Sequence, residues 1–577
     1  MFGMDLRSLA VFRIGVAAFT LWDLLSRSFD LTAHYTDAGV LPRVATLFYY
    51  AGSPVYDAWS PTNLSVHMLT GTRFGIGIIF LFHAIAALLL LVGYRTRLMT
   101  FICWFLLASL QARNPLVLSV GDDVLRVLLF FAIFLPLGMH YSIDSALNSG
   151  RAVLSEVYVS AATATYYLQF VCIYFFAALL KTGPEWRVNG TALYYAFNFD
   201  QFAQPFAKTL LSYPGMLRIL TFAAWLLELI GPFVLLIPLA AAKLVGVLLF
   251  AVLQIGIGAT LALGHNPWVN CIVLLPFLPS FLWRWQNKRE PIEIIYDGDC
   301  GLCKKLVLIL IELLRPNLNG PPRPAQGRDL ATLRKENSWI VRTKAGEFYR
   351  FDAFLQLLSS TPLFFWAVLP ARLKPVHFVG TLLYRSLANH RNPVAKLLSP
   401  LRFRPIELNN RSWWQAFPIF FFVGVLIYNA SWLRPTRRLT SFMEMPTLMV
   451  RLEQYWGMFA PFPNKEDGWY VFEGILRNGS KVDVFTGREI RFEKPGSPYE
   501  FYPNERWRRY LINIGTRDLR DLRRPFAAYL CRTWNGSHSG STHLDRGSVL
   551  FMQEVTPPPG EHGEVQKLNL NDYVCSQ

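Results

Sequence analysis

Long apolar runs recur through the first 284 residues of this chain, and they constrain its fold more than any other feature. A transmembrane helix needs about 20 mostly apolar residues in a row, and soluble domains rarely repeat runs of that length. Charged residues make up only 16 % of the chain, whereas a soluble protein has roughly 25 %. We therefore predict a mainly α fold: a polytopic transmembrane helical bundle at 1–290. Its eight spans are predicted at 9–26, 74–94, 98–112, 117–139, 162–181, 219–239, 243–263 and 266–283.

A ninth apolar run, at 415–433, follows a more polar segment and predicts an additional transmembrane helix within 411–436. Arg284, Lys288 and Arg289 follow the eighth span, and the positive-inside rule places such residues in the cytoplasm. We therefore expect a multi-pass protein of the inner (plasma) membrane. The N-terminus and the segment after the eighth span are expected in the cytoplasm, and the region after the ninth span outside it.

The last part of the chain, 437–577, is polar and strand-like, and it predicts a β-rich extracytoplasmic domain. The runs 469–476 and 481–485 flank an Asn-Gly pair, which predicts a β-hairpin. The tail after Pro557 is expected to be loose. Cys531 and Cys575 are the two cysteines of this part, and an oxidising compartment favours a disulfide between them. The alternative is two unrelated thiols.

The sharpest local motif is Asp-Gly-Asp-Cys-Gly-Leu-Cys at 297–303, between a strand-like run and a helix-like run. Two thiols three residues apart at the start of a helix can close a disulfide. The helix dipole and the two lysines that follow would stabilise the thiolate of Cys300. Cys300 is therefore the predicted nucleophile, and Cys303 the resolving thiol. The alternatives are half of a zinc site, for which no second ligand pair follows nearby, and an inert pair.

This motif resembles the Asp-x-x-Cys-x-x-Cys motif of the DCC family of thiol-disulfide oxidoreductase-like proteins, and the stretch 339–385 resembles the family's second half. The resemblance implies a small thioredoxin-like α/β domain at 291–400. The Pro/Gly-rich stretch 315–327 stands where the family's second strand would lie, and it predicts a loop. The residues assigned a role are Cys300 and Cys303 as the redox pair, with Asp297 and Asp299 as supporting residues.

The first 290 residues resemble the HTTM membrane domain, whose superfamily contains the vitamin K-dependent gamma-carboxylases. The segment 174–181 resembles the part of those enzymes that carries a proposed catalytic lysine, and Lys181 is the matching position. The resemblance implies that Lys181 acts as a base, supported by Trp186 and His265, with a quinone-type lipid as redox partner. The alternative is a lysine that only reaches the membrane interface. The other segments that carry this resemblance are 9–13, 113–114 and 121–126.

Ionisable residues inside the predicted spans are costly in hydrocarbon, so they should face a cavity or each other. Glu228 and His83 are the best candidates for a proton path. The alternative is a satisfied structural pair between helices.

Two function classes follow from these features. The first is an integral membrane enzyme that modifies or matures an exported peptide or other substrate, with Lys181 as base and a CxxC thiol-disulfide module. The second is a non-enzymatic assembly or export factor that binds a lipid or peptide and keeps a structural CxxC. The expected partners are the lipid bilayer, an exported substrate and a thiol reductase. Nucleic acid is not expected, because the net charge of +17 is dispersed among apolar spans. A metal is not expected either, because zinc normally needs four ligands and no second ligand pair follows the CxxC.

Overall fold

Helices predominate in the computed structural model, as the sequence predicts. The structure describes residues 1–51, 65–150, 155–284, 287–406, 412–433, 441–559, 561 and 564–575. Residue 411 and residues 434–436, at the two ends of the predicted ninth span, lie outside the described residues.

The first 284 residues form a helical bundle around one large apolar core. A short antiparallel ribbon pairs the start of the chain with the segment before the eighth helix. The elements are β1 (Met4–Asp5), α1 (Leu6–Phe29), α2 (Leu31–Tyr35), α3 (Arg43–Ala51), α4 (Arg73–Leu91), α5 (Thr96–Arg113), α6 (Val120–Ala132), α7 (Ile143–Ala146), β2 (Val157–Tyr158), α8 (Ala161–Leu180), α9 (Pro184–Arg187), α10 (Ala192–Asn198), α11 (Pro205–Leu210), α12 (Pro214–Val234), α13 (Ala240–Thr260) and α14 (Asn266–Ile272).

Six helices among the described residues are long and apolar enough to cross a membrane. They are α1, α4, α8, α12, α13 and the helix Ser412–Ser431. Several keep large apolar side chains on the outside of the bundle, such as Ile219 on α12 and Val252 on α13. Apolar surface of that extent is unusual on soluble monomers, and it indicates a membrane protein.

Three of the nine predicted spans do not reach this length and apolarity. The run 98–112 lies in α5, whose 18 residues include polar side chains at both ends. The run 117–139 contains only the 13-residue α6. The run 266–283 leaves the α-helical path after Ile272, where prolines start two short 3₁₀ turns. These segments lie mostly inside the bundle, so their hydrophobicity reflects contact with other helices.

The bundle has two ends, which we name after α1. The proximal end is where α1 begins, and there Lys243 Nζ of α13 donates to Gly3 O over 3.0 Å. The distal end is where α1 finishes, and there Arg113, at the end of α5, donates from Nη1 to Leu41 O over 2.8 Å.

Residues 287–406 form a small α/β domain. Its sheet has the order β4-β3-β5-β6, with β3 parallel to β4 and antiparallel to β5. A short β4 lies inside the stretch 315–327, so the prediction of a loop without a second strand was wrong. The elements are β3 (Glu293–Tyr296), α15 (Gly301–Leu314), β4 (Arg323–Pro324), α16 (Arg328–Glu336), β5 (Ile340–Thr343), β6 (Gly346–Tyr349), α17 (Arg350–Ser359), α18 (Val368–Ala371), α19 (Lys374–Asn389) and α20 (Arg391–Leu397).

The two faces of this sheet carry different helices, because strand side chains alternate. Ile294 and Val341 face α15 and α17. Their neighbours Ile295 and Ile340 face α16. Strand β3, helix α15 and strand β4 form a βαβ unit, and the two cysteines lie at the start of its helix, as expected for a thioredoxin-like core.

This domain lies at the proximal end of the bundle. Glu312 of α15 accepts from the backbone N of Tyr141 over 2.9 Å. Tyr94, just after α4, donates its hydroxyl to Pro400 O over 3.1 Å.

The C-terminal part combines a four-stranded antiparallel sheet, of order β10-β9-β7-β8, with two helices packed on it. It is a mixed α and β domain, so the prediction of a β-rich domain was only half right. The predicted hairpin is confirmed, with Gly479 at φ +83° in its turn. The elements are α21 (Ser412–Ser431), α22 (Ser441–Met449), β7 (Glu466–Leu476), β8 (Lys481–Asp483), α23 (Glu505–Gly515), α24 (Arg523–Ser537), β9 (Leu544–Val555) and β10 (Val565–Val574).

The prediction of a loose tail after Pro557 was wrong, because β10 pairs along β9. A disulfide joins Cys531 of α24 to Cys575 beyond β10, with the Cα atoms 5.6 Å apart. The strand pairing and this bridge together attach the end of the chain to the domain.

Candidate redox site and polar clusters

The CxxC pair begins helix α15. A turn in which the backbone N of Asp299 donates to Asp297 Oδ1 over 3.1 Å leads from β3 into the helix. Cys300 is the N-cap residue, and its Sγ accepts from the backbone N of Cys303 over 3.2 Å. The two cysteines form a disulfide, with their Cα atoms 5.3 Å apart.

This position favours the thiolate of Cys300 in the reduced state. An unpaired backbone N–H at a helix N-terminus and the helix dipole both stabilise a negative sulfur. Both cysteines are half-buried, so exposure does not distinguish them. The difference between them is that Cys300 Sγ accepts a hydrogen bond from the backbone amide of Cys303.

The two aspartates of the motif have different surroundings. Asp297 is half-buried and shapes the turn, and its Oδ2 lies 3.9 Å from Arg391 Nη1. Asp299 is exposed, and its Oδ2 lies 3.7 Å from Arg334 Nη2. Asp297 therefore positions the first cysteine, whereas Asp299 is a surface residue of the turn.

An apolar groove of about 460 Å³ opens beside the pair, with Cys303 in its wall. Helix α15 supplies Leu306 and Leu310, and helix α19 supplies Leu383 and Leu387 from the other side. Sequence reasoning missed this groove, although the alternation of apolar and small residues along α19 was its signal. Further lining residues are Trp339, Phe351, Gly380, Tyr384 and Arg391.

Comparison with known proteins agrees with this site. Residues 294–397 match the family model described as DCC1-like thiol-disulfide oxidoreductase. The chain carries a DCC1-like domain there. The uncharacterized protein YitO of Bacillus subtilis (strain 168) is 23 % identical over 258 residues, which cover 40 % of this chain and 81 % of that protein. No solved structure matches the chain. The HTTM and gamma-carboxylase resemblance of the bundle stays a prediction.

Lys181, at the end of α8, lies in a second cluster. Its Nζ donates to Glu228 Oε2 of α12 over 2.5 Å and lies 5.2 Å from the ring centre of Trp186. The Lys181 side chain is only 5 % exposed, so the pair is largely withdrawn from water. The structure thus brings Glu228, which the sequence singled out for a proton path, together with Lys181 and Trp186.

Two other predicted residues lie elsewhere. His83 is buried on α4, which packs against α1 and α5, so the structure does not join it to Glu228 in a proton path. His265 is the N-cap residue of α14, and its Nε2 lies 2.9 Å from Arg506 Nη2. Neither histidine supports Lys181.

His265 belongs to a buried ionic cluster at the distal end. Arg27 of α1 binds Asp23 over 2.7 Å and Asp122 of α6 over 2.6 Å. Arg506 of α23 binds the same two carboxylates from the C-terminal domain. Sequence reasoning missed Arg506, although a carboxylate inside an apolar run, Asp23, requires a buried partner.

The redox pair and Lys181 lie at opposite ends of the bundle. Helix α9, which follows Lys181, contacts the C-terminal part: Trp186 Nε1 donates to Phe459 O over 2.9 Å, and Lys465 Nζ lies 2.7 Å from Glu185 Oε1. The DCC1-like domain contacts the proximal end. The two sites therefore cannot act on the same bond at the same time.

Proposed function

We propose that this chain is a membrane-embedded thiol-disulfide oxidoreductase whose redox pair is Cys300 and Cys303. The observation that carries the proposal is the disulfide at the start of α15, where Cys300 Sγ accepts the amide of Cys303. Its place in a DCC1-like domain supports the same role.

The proposed reaction starts from the reduced pair. The Cys300 thiolate attacks one sulfur of a substrate disulfide, the substrate S–S bond breaks, and the leaving sulfur takes up a proton. Cys303 then loses its proton and attacks Cys300 Sγ, which releases the second substrate sulfur as a thiol. The substrate gains two electrons and two protons, and the pair is oxidised to the disulfide. A dithiol reductant, supplied by a thiol reductase, returns the pair to the reduced state.

The substrate class and the compartment are part of the proposal. Arg284, Lys288 and Arg289 lie next to the proximal end, which supports a cytoplasmic position for the redox domain. An exported peptide or protein is the proposed substrate. If the pair does not turn over, the competing role is a non-enzymatic export or assembly factor with a structural CxxC.

A second candidate function is a base-catalysed modification at Lys181, with a quinone-type lipid as redox partner. The contact of Lys181 with Glu228 and Trp186 favours it. Glu228 Oε2 lies within hydrogen-bond distance of Lys181 Nζ, so Glu228 is the group that would take up a proton from Lys181 before Lys181 acts as a base. Restored function in a Lys181→Arg variant would remove this candidate, because guanidinium stays protonated.

The redox proposal is tested with the purified full chain and a fluorogenic glutathione disulfide as substrate, with dithiothreitol as reductant. The wild type should catalyse reduction, and both Cys300→Ser and Cys303→Ser should lose turnover. Cys271→Ser is the matched control, because Cys271 is a free, half-buried cysteine of the bundle. Equal rates for all four proteins would refute the proposal.

A further inference from the structure

Helix α19 has apolar side chains on two opposite faces. One face, with Leu383 and Leu387, lines the groove beside Cys303. The opposite face carries Phe378 and Leu382, which are 69 % and 57 % exposed. A helix on the surface of a domain normally has one apolar and one polar face. The outer face of α19 therefore needs an occupant that is not part of the domain.

The same apolar surface continues through the segment before α19. Leu363, Trp366 and Leu369 are 71 %, 63 % and 79 % exposed. Isolated exposed apolar residues are ordinary, but a continuous series of them marks a protein or membrane contact. We call the face formed by Leu363, Trp366, Leu369, Phe378 and Leu382 the outer surface of the redox domain.

The charge of this region selects the kind of occupant. Between Asp352 and Glu407 the sequence contains no acidic residue. The basic residues there are Arg372, Lys374, Arg385, Arg391, Lys396, Arg402 and Arg404. Among the ion pairs of the described residues, none involves Arg372, Lys374 or Arg385. Large apolar side chains bordered by uncompensated cations are typical of elements that lie in the interface of an anionic membrane.

The position of the segment agrees with that assignment. On one side, Asn287 Nδ2 donates to Ser360 O over 2.8 Å, and Arg289 lies 3.5 Å from the ring centre of Phe365. On the other side, Pro400 accepts from Tyr94, which follows the candidate span α4. The domain follows Trp283, whose Nε1 donates to Ser8 Oγ near the start of α1 over 2.8 Å. The beginning and the end of the domain therefore both lie at the proximal end of the bundle.

We propose that the outer surface of the redox domain lies on the membrane and binds anionic phospholipids. A second copy of the chain is a poorer occupant, because two surfaces with unpaired cations repel each other. Since the other face of α19 lines the groove, this contact holds Cys303 close to the membrane surface. The proposal concerns where the domain sits and does not depend on its thiol chemistry.

The test uses the full chain in vesicles of phosphatidylcholine with phosphatidylglycerol. An environment-sensitive fluorophore is attached to the thiol introduced by Leu369→Cys under non-reducing conditions, which keep the two disulfides closed. The parent chain, treated with the same fluorophore, gives the background from its own free cysteines. A lipid with a nitroxide near its headgroup should quench this label strongly, and aqueous iodide should not. A label at Lys335→Cys on α16, across the sheet, is the matched control and should show the reverse.

Variants of the basic residues test whether the contact depends on anionic lipid or only on the apolar side chains. Changing Arg372, Lys374 and Arg385 to Gln should weaken the association of the outer surface with these vesicles. The equilibrium constant for that contact should fall by roughly fivefold for each removed charge. The same changes at Arg334, Lys335 and Lys344 should have little effect. A label at 369 that iodide reaches freely would overturn the proposal. Protection from both quenchers would also overturn it, because protein would then cover the surface, and equal contact in pure phosphatidylcholine would overturn the preference for anionic lipid.

Discussion

Arg506 on α23 donates from Nη2 to Asp122 Oδ1 on α6 over 3.0 Å, although 384 residues separate them. The Asp23 carboxylate on α1 lies 3.0 Å from the same nitrogen. All three side chains are buried. Arg506 of the C-terminal domain thus joins Arg27 of α1 in compensating two carboxylates of the bundle.

Replacing Arg506 with Leu should destabilise the distal end strongly. Removing one partner of a buried ion pair leaves uncompensated charge and costs about 3–5 kcal/mol. Thermal unfolding of the full chain in detergent should show a lower midpoint, and limited proteolysis should release the C-terminal domain. Arg524→Leu, an exposed arginine of α24, is the control and should change neither. Unchanged stability of the Arg506 variant would mean that the cluster does not hold the two parts together.

The pair Lys181–Glu228 should behave as a coupled unit. Glu228→Leu alone leaves a buried ammonium without its carboxylate and should cost about 3–5 kcal/mol of stability. The double variant Lys181→Met and Glu228→Leu should recover most of that loss, because apolar side chains of similar volume replace the pair. Thermal unfolding of the wild type, the single variants Lys181→Met and Glu228→Leu, and the double variant gives the coupling energy. Additive effects in this cycle would contradict the contact.

The sequence indicated the start of α15 well, because its signals are local. An apolar strand, a turn and two cysteines follow each other within a few residues, and β3 and α15 lie close to the predicted positions. The helices of the bundle were harder to classify, since a buried helix such as α6 is as apolar as a span. Long-range pairs such as Lys181 with Glu228 leave no periodic signal. Strand β10 was missed because it is polar and is held by its pairing with β9.

The stability of the C-terminal domain should fall as the pH rises from about 4 to about 6. Burial raises the pKa of the Asp467 carboxyl from 3.8 to about 6. The folded state then binds more protons than the unfolded state between these values, so folding loses stability as pH increases through this window. The loss is about 3 kcal/mol when the change in pKa is converted to energy. Denaturant unfolding at several pH values measures it, and Asp467→Asn should flatten the profile. A wild-type profile that rises over this window would contradict the burial effect.

The redox domain and the C-terminal domain should lie in different compartments. They occupy the proximal and distal ends of the bundle, and α21 connects them. Reporter fusions at Gly320 and Gly479, both in exposed turns, should therefore give opposite signals. The same signal from both fusions would contradict a membrane crossing by α21.

The most direct measurement is the capture of a mixed disulfide in cells that produce the full chain. In the Cys303→Ser variant, the Cys300 thiolate can attack a substrate but no second thiol resolves the product. Mass spectrometry under non-reducing conditions should then find a partner bound to Cys300, and the Cys300→Ser variant should bind much less through Cys303. The absence of any partner on Cys300 in the Cys303→Ser variant, together with equal and slow alkylation of Cys300 and Cys303 in the reduced wild type, would contradict a thiol-disulfide oxidoreductase.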